Sequence, residues 1–507
     1  MAADAQSTAR AWLRLPLAAL LFASCLWLFS RHHEFPFFYH PDEPDKVEQI
    51  VHEHWNFHHP LLMLATARCA VNLFHVPRDA QAVAQMGRWV SATFAALGVT
   101  ALAWLAFLYR GWPGFATAGA ALMLHHQVFE LAHYFKEDTA LFLGIAMSLL
   151  ALVVYWKKPC APRAAFLGFG CALALCGKYL GAVMLLAALP VLWCAPPTPE
   201  NRRARFAQLA IFAAAFLLTA AAVNFSLLQN LAIFRHSLGR EVQLVAEGQN
   251  PAPGAPRIGS SAYLGAFFGN TTPVIWLCLL AHLFRQWKRR KSLALSDWIL
   301  TLFPFAYALM LSLSPKTNDR YFLPATAMFT WLAALGALDV ALLWPRIPAA
   351  LCAVALAACQ LPSFMEYDRA FQIDDRKDLR AWLDANLTGD DLIAQDYRSV
   401  KLPLPGKNRS VNQQPPLTQR VLPSDKLAGE LGTLDTLKAQ GVTHVIVSQN
   451  DYGRYFRKAA EKQTGGAFVR AKTFYETLFA GGQLVWERAR GPVIYLHPGL
   501  RVYRIGP

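Results

Sequence analysis

Two adjacent carboxylates, Asp42 and Glu43, are the residues of this sequence best placed to do chemistry. They stand between Pro41 and Pro44, and an apolar pattern of helical period begins just after them, at Val47. Because Pro44 has the backbone angle of a first helical turn, we expect both acids at the N-terminus of an amphipathic helix. The helix dipole favours an ionised carboxylate there, and an ionised carboxylate can act as a general base.

A purely structural role is the alternative for this pair, since an acid before a helix also caps it. Capping requires one carboxylate, whereas Asp45 follows closely behind the first two acids. This surplus of acids at one point of the chain favours a functional site.

Histidines are dense around these acids and raise the question of a metal. The histidines concerned are His40, His52, His54, His58, His59, His125, His126 and His133. Imidazole and carboxylate groups together can bind a divalent cation, but His52 and His54 have the wrong spacing for two ligands on one helical face. A divalent metal and a set of polar interfacial histidines both stay open, and no cofactor is required by the pattern.

The elements that position these residues are predicted to be membrane helices. Of the 507 residues, 55% are hydrophobic and only 16% are charged, and the apolar residues form long runs. A spanning helix needs about 20 mostly apolar residues, and such runs recur up to residue 362. We predict a mostly α fold, a polytopic membrane helix bundle of roughly eleven transmembrane helices over residues 1–362.

The remaining segment, residues 363–507, is polar and long enough for one soluble domain. Short β-rich runs at 391–395, 442–448 and 501–505 alternate with helical patterns at 379–386 and 431–439. The sequence therefore predicts a C-terminal α/β domain. It contains no glycine-rich phosphate loop, so we expect the chemistry to belong to the membrane domain.

The formal net charge of +15 signals topology rather than a nucleic-acid partner. The basic residues concentrate in short loops between apolar runs, at Arg10, Arg14, Arg110, Lys157, Lys158, Arg163, Arg202, Arg203, Arg205, Arg285, Lys288, Arg289, Arg290, Lys291 and Arg346. Short basic loops mark the cytoplasmic side of a membrane protein. We therefore expect a cytoplasmic N-terminus, and outer loops 30–85 and 229–261 together with the C-terminal domain on the opposite, periplasmic side of a bacterial inner membrane.

Four short segments in this arrangement resemble a known family. They are Asp42-Glu43, Tyr134-Phe135-Lys136-Glu137-Asp138, Gly177-Lys178-Tyr179, and Arg320-Tyr321-Phe322-Leu323-Pro324-Ala325 at the start of a late helix. Their order and sidedness resemble the GT-C glycosyltransferases, especially the branch of protein O-mannosyltransferases and the lipid A aminoarabinose transferase. The resemblance spans most of the membrane region, although each motif alone is short.

This resemblance implies transfer of a sugar, with inversion, from a polyprenyl-phosphate donor to a hydroxyl of a lipid, glycan or protein on the periplasmic face. The acceptor hydroxyl needs a base, for which Asp42 is the candidate, and Glu43 would orient the acceptor or share the catalytic role. Glu137 and Asp138 stand at the outer end of a membrane helix, where carboxylates are expected to face a watery cavity. There they would orient the substrate or help to hold a metal.

The departing phosphate needs positive charge, for which Lys178, Arg320 and Lys136 are the candidates. Each of the three cations also has a structural alternative: Lys178 would snorkel from a hairpin tip, Arg320 would cap its helix, and Lys136 would pair with the adjacent acids.

A transporter or flippase for a lipid-linked or anionic substrate is the rival function, since carboxylates also serve ion-coupled transport. The proline- and glycine-rich segment 247–257 predicts an irregular outer loop that either covers a donor site or is a plain linker.

Overall fold

The computed structural model describes most of the chain. The described residues are 14–33, 38–196, 202–247, 268–269, 271–314, 319–344, 347–403, 417–457 and 465–506. The proline- and glycine-rich stretch 248–257 lies outside them.

The membrane portion consists of helices joined mostly by short turns. They are α1 (Arg14–Phe29), α2 (Glu43–Val51), α3 (Leu62–Leu73), α4 (Ala80–Met123), α5 (His126–Ala132), α6 (Asp138–Lys157), α7 (Ala161–Gly177), α8 (Val183–Cys194), α9 (Arg202–Val223), α10 (Leu231–Glu247), α11 (Pro273–Lys288), α12 (Leu295–Ser312), α13 (Leu323–Leu343), α14 (Ala349–Ala358) and α15 (Leu361–Ala370). A single-turn helix, Tyr179–Ala182, precedes α8, and another, Asp319–Phe322, precedes α13.

Helix α4 is a hairpin of two helices that meet at a sharp turn. Gly111 has the non-helical angles φ 60 and ψ −150, and Pro113 follows it. A residue with a side chain cannot easily adopt this positive φ, which favours glycine here. Proline cannot continue the preceding helix, so the chain reverses there. A Cβ added at Gly119 would lie 3.7 Å from the Cβ of Ala103, which places the two arms side by side. The turn predicted at Arg110 is therefore confirmed.

The chain is a multi-pass membrane protein. By length and composition, six helices among the described residues are long and apolar enough to cross a membrane, and four shorter apolar helices accompany them. Helix α6, with 20 residues, spans about 30 Å, the thickness of the hydrocarbon core. The predicted helix bundle is confirmed, but the number of roughly eleven spans is not.

Two predicted loops differ in detail from the observed elements. The first outer loop, predicted over 30–85, contains the apolar helix α3, whose Leu62, Met63 and Leu64 are buried. The second outer loop, predicted over 229–261, begins with helix α10. The last of the six candidate spans, Ala349–Asn386, is divided by turns, because the chain turns at Gln360 and Pro362 starts a new helix.

The C-terminal segment is an α/β domain, as predicted. Its elements are α16 (Asp375–Asn386), β1 (Leu392–Gln395), α17 (Tyr397–Val400), β2 (Arg420–Val421), α18 (Leu434–Ala439), β3 (His444–Ser448), α19 (Gln449–Tyr452), α20 (Gly466–Gly481), β4 (Gln483–Glu487) and β5 (Leu500–Arg504). The sheet order is β2-β1-β3-β5-β4, with β1, β2 and β3 parallel and β5 antiparallel to both neighbours. Helices α16 and α20 pack on opposite faces of the sheet.

The domain boundary predicted between residues 362 and 363 falls inside α15, and it stays a prediction. The C-terminal domain contacts the segment just before α2 directly. Arg376 donates to the Phe38 carbonyl at 2.9 Å, and the Tyr495 ring lies 4.7 Å from the ring of His40. These contacts hold the chain just before Asp42 against the domain.

Candidate active site

The ends of several helices bring the predicted site residues to one place. Asp42 directly precedes α2, and Lys136 and Glu137 precede α6, which begins at Asp138. Lys178 follows the last residue of α7, and Arg320 lies in the turn before α13. Residues from distant parts of the chain are thus gathered at one end of the bundle, as the resemblance implied.

These residues form a network of ion pairs. Lys136 is hydrogen bonded to Asp42 and lies 3.5 Å from Glu137, while Lys46 is hydrogen bonded to Glu137. Arg320 lies 3.9 Å from Asp42 and 3.7 Å from Asp138, with Lys178 also bonded to Asp138. Because each carboxylate of the network contacts a cation, the charges can be buried together.

Asp42 is the accessible carboxylate of this network. Its side chain is 44% exposed, whereas those of Glu137 and Asp138 are 1% and 2% exposed. Partial burial raises the pKa of Asp42, but the neighbouring Lys136 ammonium and Arg320 guanidinium lower it by more, so the net pKa lies well below its usual range. Asp42 is therefore ionised and open to a substrate at neutral pH.

Glu43 has the opposite environment and is fully buried. Its carboxylate accepts hydrogen bonds from Arg88 at 2.8 Å and from the backbone N–H groups of Tyr39 at 2.8 Å and Phe135 at 2.9 Å. These bonds tie the start of α2 to α4 and to the segment that carries Lys136. This enclosed position favours a structural role for Glu43, and the catalytic role stays a prediction.

A cavity of about 310 Å³ opens beside Asp42. Lys46, Lys136, Glu137 and Arg320 line it together with residues of α10, which include Arg240. Helix α10, in the predicted second outer loop, is thus one wall of the site.

Lys178 and Asp138 lie behind the lining of this cavity rather than in it. The Lys178 ammonium lies 4.6 Å from the centre of the Tyr321 ring, and Tyr321 is the residue that faces the cavity. Of the three predicted phosphate ligands, Arg320 and Lys136 therefore reach the cavity, and Lys178 supports its wall.

His40 links Arg320 to Asp42. The Arg320 guanidinium donates to His40 Nε2, and burial together with the Arg320 charge holds the pKa of His40 well below its usual range. The ring is therefore neutral, and its Nδ1 lies 3.1 Å from the Asp42 backbone nitrogen and 3.8 Å from Asp42 Oδ2. This contact helps to orient the candidate base.

The described side chains do not fit a metal ion. Among the residues that the structure describes, no group of three or more His, Cys, Asp or Glu side chains is arranged to hold one. Asp42, Glu137 and Asp138 contact lysine or arginine instead.

Sequence reasoning missed two members of the site, Lys46 and His59. Lys46 lies four residues after Asp42 and therefore on the same face of α2, a spacing that could have identified it. His59 Nε2 lies 3.8 Å from Glu137 Oε2. The density of histidines pointed to this segment, but nothing in the sequence singled out His59.

Solved structures with a similar fold exist. ArnT from Cupriavidus metallidurans, bound to undecaprenyl phosphate, aligns with 98% of this chain and 98% of its own, at 13% identity and a TM-score of 0.51. AglB, the oligosaccharyltransferase of Archaeoglobus fulgidus, aligns over 93% of this chain at 12% identity and a TM-score of 0.52. That alignment covers 73% of AglB in its complex with an inhibitory peptide and a dolichol-phosphate.

The chain has the GT-C fold. No protein-family description matches the sequence, and no curated protein matches it significantly. The GT-C resemblance drawn from four short motifs is thus confirmed at the level of the fold. Within this GT-C fold, the ion-pair network lies where the start of α2 meets the ends of α6, α7 and α13.

Proposed function

We propose that this chain is an integral membrane glycosyltransferase that moves a hexose or pentose from a polyprenyl-phosphate donor to a hydroxyl acceptor. The accessible Asp42 carboxylate, set beside Lys136 and Arg320 in a polar cavity, is the observation that carries the proposal. The reaction takes place at the periplasmic face of a bacterial inner membrane, with inversion at the sugar.

The donor phosphate binds to the cations that line the cavity beside Asp42. Lys136 and Arg320 contact its oxygens. Lys46 is bonded to Glu137 and offsets the negative charge of that carboxylate in the cavity lining. ArnT is bound to undecaprenyl phosphate and AglB to a dolichol-phosphate, and these ligands belong to the chemical class expected here. Arginine and lysine are the side chains suited to such a ligand.

The transfer itself is a single displacement. The acceptor oxygen forms a bond to the anomeric carbon as its proton passes to Asp42, and the bond from that carbon to the phosphate oxygen breaks. The polyprenyl phosphate leaves with an additional negative charge, which Lys136 and Arg320 stabilise. Attack from the face opposite the leaving group inverts the sugar centre.

Donor binding also prepares the base. In the structure, Lys136 and Arg320 both contact Asp42, and their charges lower its pKa. A phosphate in the cavity competes for the same two cations, so the pKa of Asp42 rises towards its ordinary range. The carboxylate becomes a better base at the moment when the donor is in place.

The acceptor approaches from a second cavity, of about 540 Å³, between the first outer segment and the C-terminal domain. His40, Arg398, Lys401 and Tyr495 line it, and His40 separates it from Asp42. The α/β domain thereby takes part in recognising the lipid, glycan or protein that carries the hydroxyl.

The transporter alternative receives less support from the geometry. The charged residues of α6 lie at its two ends, Asp138 and Lys157, with uncharged side chains between them. Ion-coupled transport uses charged or broken helices near the middle of the membrane.

The experiment is a donor assay with purified protein in detergent and a polyprenyl-phosphate sugar. We expect release of polyprenyl phosphate that depends on an added acceptor, and an Arg320→Ala variant that turns over roughly ten to a thousand times more slowly. Movement of intact donor across liposomes without sugar release would support the transporter instead.

A further inference from the structure

A third cavity, of about 370 Å³, lies at the other end of the bundle from Asp42. It is lined by the turn of the α4 hairpin, the last residues of α6 and α11, and the first residues of α12. Because α6 runs from Asp138 to Lys157, this cavity is about 30 Å from the ion-pair network. We call it the basic-end cavity.

Positive charge is in excess around the basic-end cavity. Arg110, Lys157 and Arg289 line it, whereas its one acidic lining residue, Asp297, already accepts hydrogen bonds from the Tyr109 hydroxyl at 2.8 Å and the Ala294 amide at 3.1 Å. Excess cationic charge between membrane helices favours the binding of an anion.

A buried aspartate, Asp339, holds Arg285 and His282 at the back of the cavity. Asp339 is fully buried and accepts from Arg110 at 2.7 Å, from Arg285, and from His282 at 2.8 Å. The Arg285 charge offsets that of Asp339, so the cluster leaves the positive charge of Arg110 uncancelled.

Two buried polar atoms in the lining have no hydrogen-bond partner among the described residues. They are Arg110 Nε, a donor, and Gln286 Oε1, an acceptor. A buried N–H without an acceptor is costly, and a phosphate oxygen would satisfy it. Gln286 Oε1 requires a donor, such as a headgroup hydroxyl.

The rest of the lining is apolar and suits a lipid. Leu108, Val153, Trp156 and Leu300 face the same space as the cations. A soluble anion would make no favourable contact with these apolar side chains. A phospholipid has a phosphate next to the start of its acyl chains and can contact both the cations and the apolar residues. Tryptophan is also typical of the membrane interface, where headgroups lie.

We propose that the basic-end cavity binds the phosphate headgroup of an anionic membrane phospholipid. The phosphate contacts Arg110, Lys157 and Arg289, a headgroup hydroxyl donates to Gln286, and the acyl chains follow the apolar wall. This site is separate from the donor site and does not depend on the proposed transferase activity.

The test is native mass spectrometry of the purified full chain titrated with phosphatidylglycerol. A Lys157→Ala/Arg289→Ala variant is compared with a matched control, Arg290→Ala/Lys291→Ala, which removes two charges from the adjacent turn without touching the cavity lining. We expect the apparent affinity to fall about 25-fold in the cavity variant, at about fivefold for each cation, and to change less than about twofold in the control. Thermal unfolding in detergent, with and without the lipid, verifies that both variants are folded.

Two further probes test whether the ligand is a lipid anion. Phosphatidylcholine, which has no net charge, and glycerophosphoglycerol, which has no acyl chains, are each expected to bind at least about tenfold more weakly than phosphatidylglycerol. Equal loss of affinity in the two variants would overturn the site, and equal binding of phosphatidylcholine or of the soluble headgroup would overturn the lipid assignment.

Discussion

Lys136 controls the charge state of Asp42, and this coupling is testable through the pH dependence of turnover. Its ammonium lowers the pKa of the Asp42 carboxyl, so the base of the intact protein stays ionised well below neutral pH. In Lys136→Ala the pKa of Asp42 rises, and turnover is lost at a higher pH than in the parent protein as the carboxyl protonates. Turnover at pH 7 also falls by about tenfold or more, because one phosphate contact is gone.

The pH–rate profile is measured beside that of Lys158→Ala, an exposed lysine beyond the other end of α6. A Lys136→Ala profile that keeps the parental acidic limb would show that Asp42 is not the titrating base.

Glu43 is predicted to stabilise the fold rather than to react. In Glu43→Gln the buried Arg88 loses its counter-charge, and breaking such a pair costs about 3–5 kcal/mol. We expect a large drop in thermal stability in detergent, which Arg88→Met in the same chain partly restores because both charges are then removed. A Glu43→Gln protein of normal stability and much reduced turnover would instead return Glu43 to a catalytic role.

The sequence identified the acid pair but could not assign separate roles to Asp42 and Glu43. Pro44 and the apolar pattern that follows it predict a helix start, and this prediction placed both acids at the beginning of α2. The buried Glu43 is paired with Arg88, 45 positions away, and the cavity beside Asp42 is lined by residues of α10 and of the turn before α13. Contacts of this kind arise from packing, which no local pattern encodes.

At the scale of elements, the site depends on the close approach of α6 and α7. A Cβ added at Gly144 of α6 would lie 2.3 Å from the Ala174 backbone of α7. Gly144→Ala must push these helices apart, at a cost of about 1–3 kcal/mol. Because Lys178 follows α7 and bonds to Asp138 of α6, turnover should fall as well.

The matched control is Gly239→Ala in α10, where an added Cβ meets nothing within 4 Å. That substitution is expected to leave stability unchanged or to raise it by up to about 1 kcal/mol. Thermal unfolding of both variants is the measurement, and equal stability of the two would contradict the close packing of α6 and α7.

Helix ends marked by charged residues were predicted best, with Asp138 and Lys157 at the two ends of α6 and Arg320 just before α13. Helix α3 was missed because its apolar residues follow a polar, histidine-rich stretch that resembles one continuous loop. Helix α10 was missed because the proline-rich sequence after it dominated the composition of the segment. For α3, burial against neighbouring helices, rather than local composition, decides the structure.

At the scale of the whole molecule, the distribution of basic loops predicts sidedness. The structure places Lys157 and Arg289 around one cavity at the end opposite Asp42, which agrees with one basic face. Tags inserted after Arg205 or Lys291 should be protected from membrane-impermeant reagents in intact cells, and a tag after Pro507 should be labelled. Labelling in the reverse sense would put the candidate active site on the cytoplasmic face.

The role of Asp42 as the base of a glycosyl transfer is tested most sharply by the Asp42→Asn variant. Asparagine keeps the size of the side chain but cannot take a proton, so transfer should fall by about a hundredfold or more. Asp45→Asn, which makes the same change in an exposed acid of the same cavity, is the matched control and should stay within a few fold of the parent. We predict that purified Asp42→Asn protein unfolds at the parental temperature, binds the polyprenyl-phosphate sugar, and does not transfer it; near-normal transfer by that folded protein would rule out Asp42 as the base.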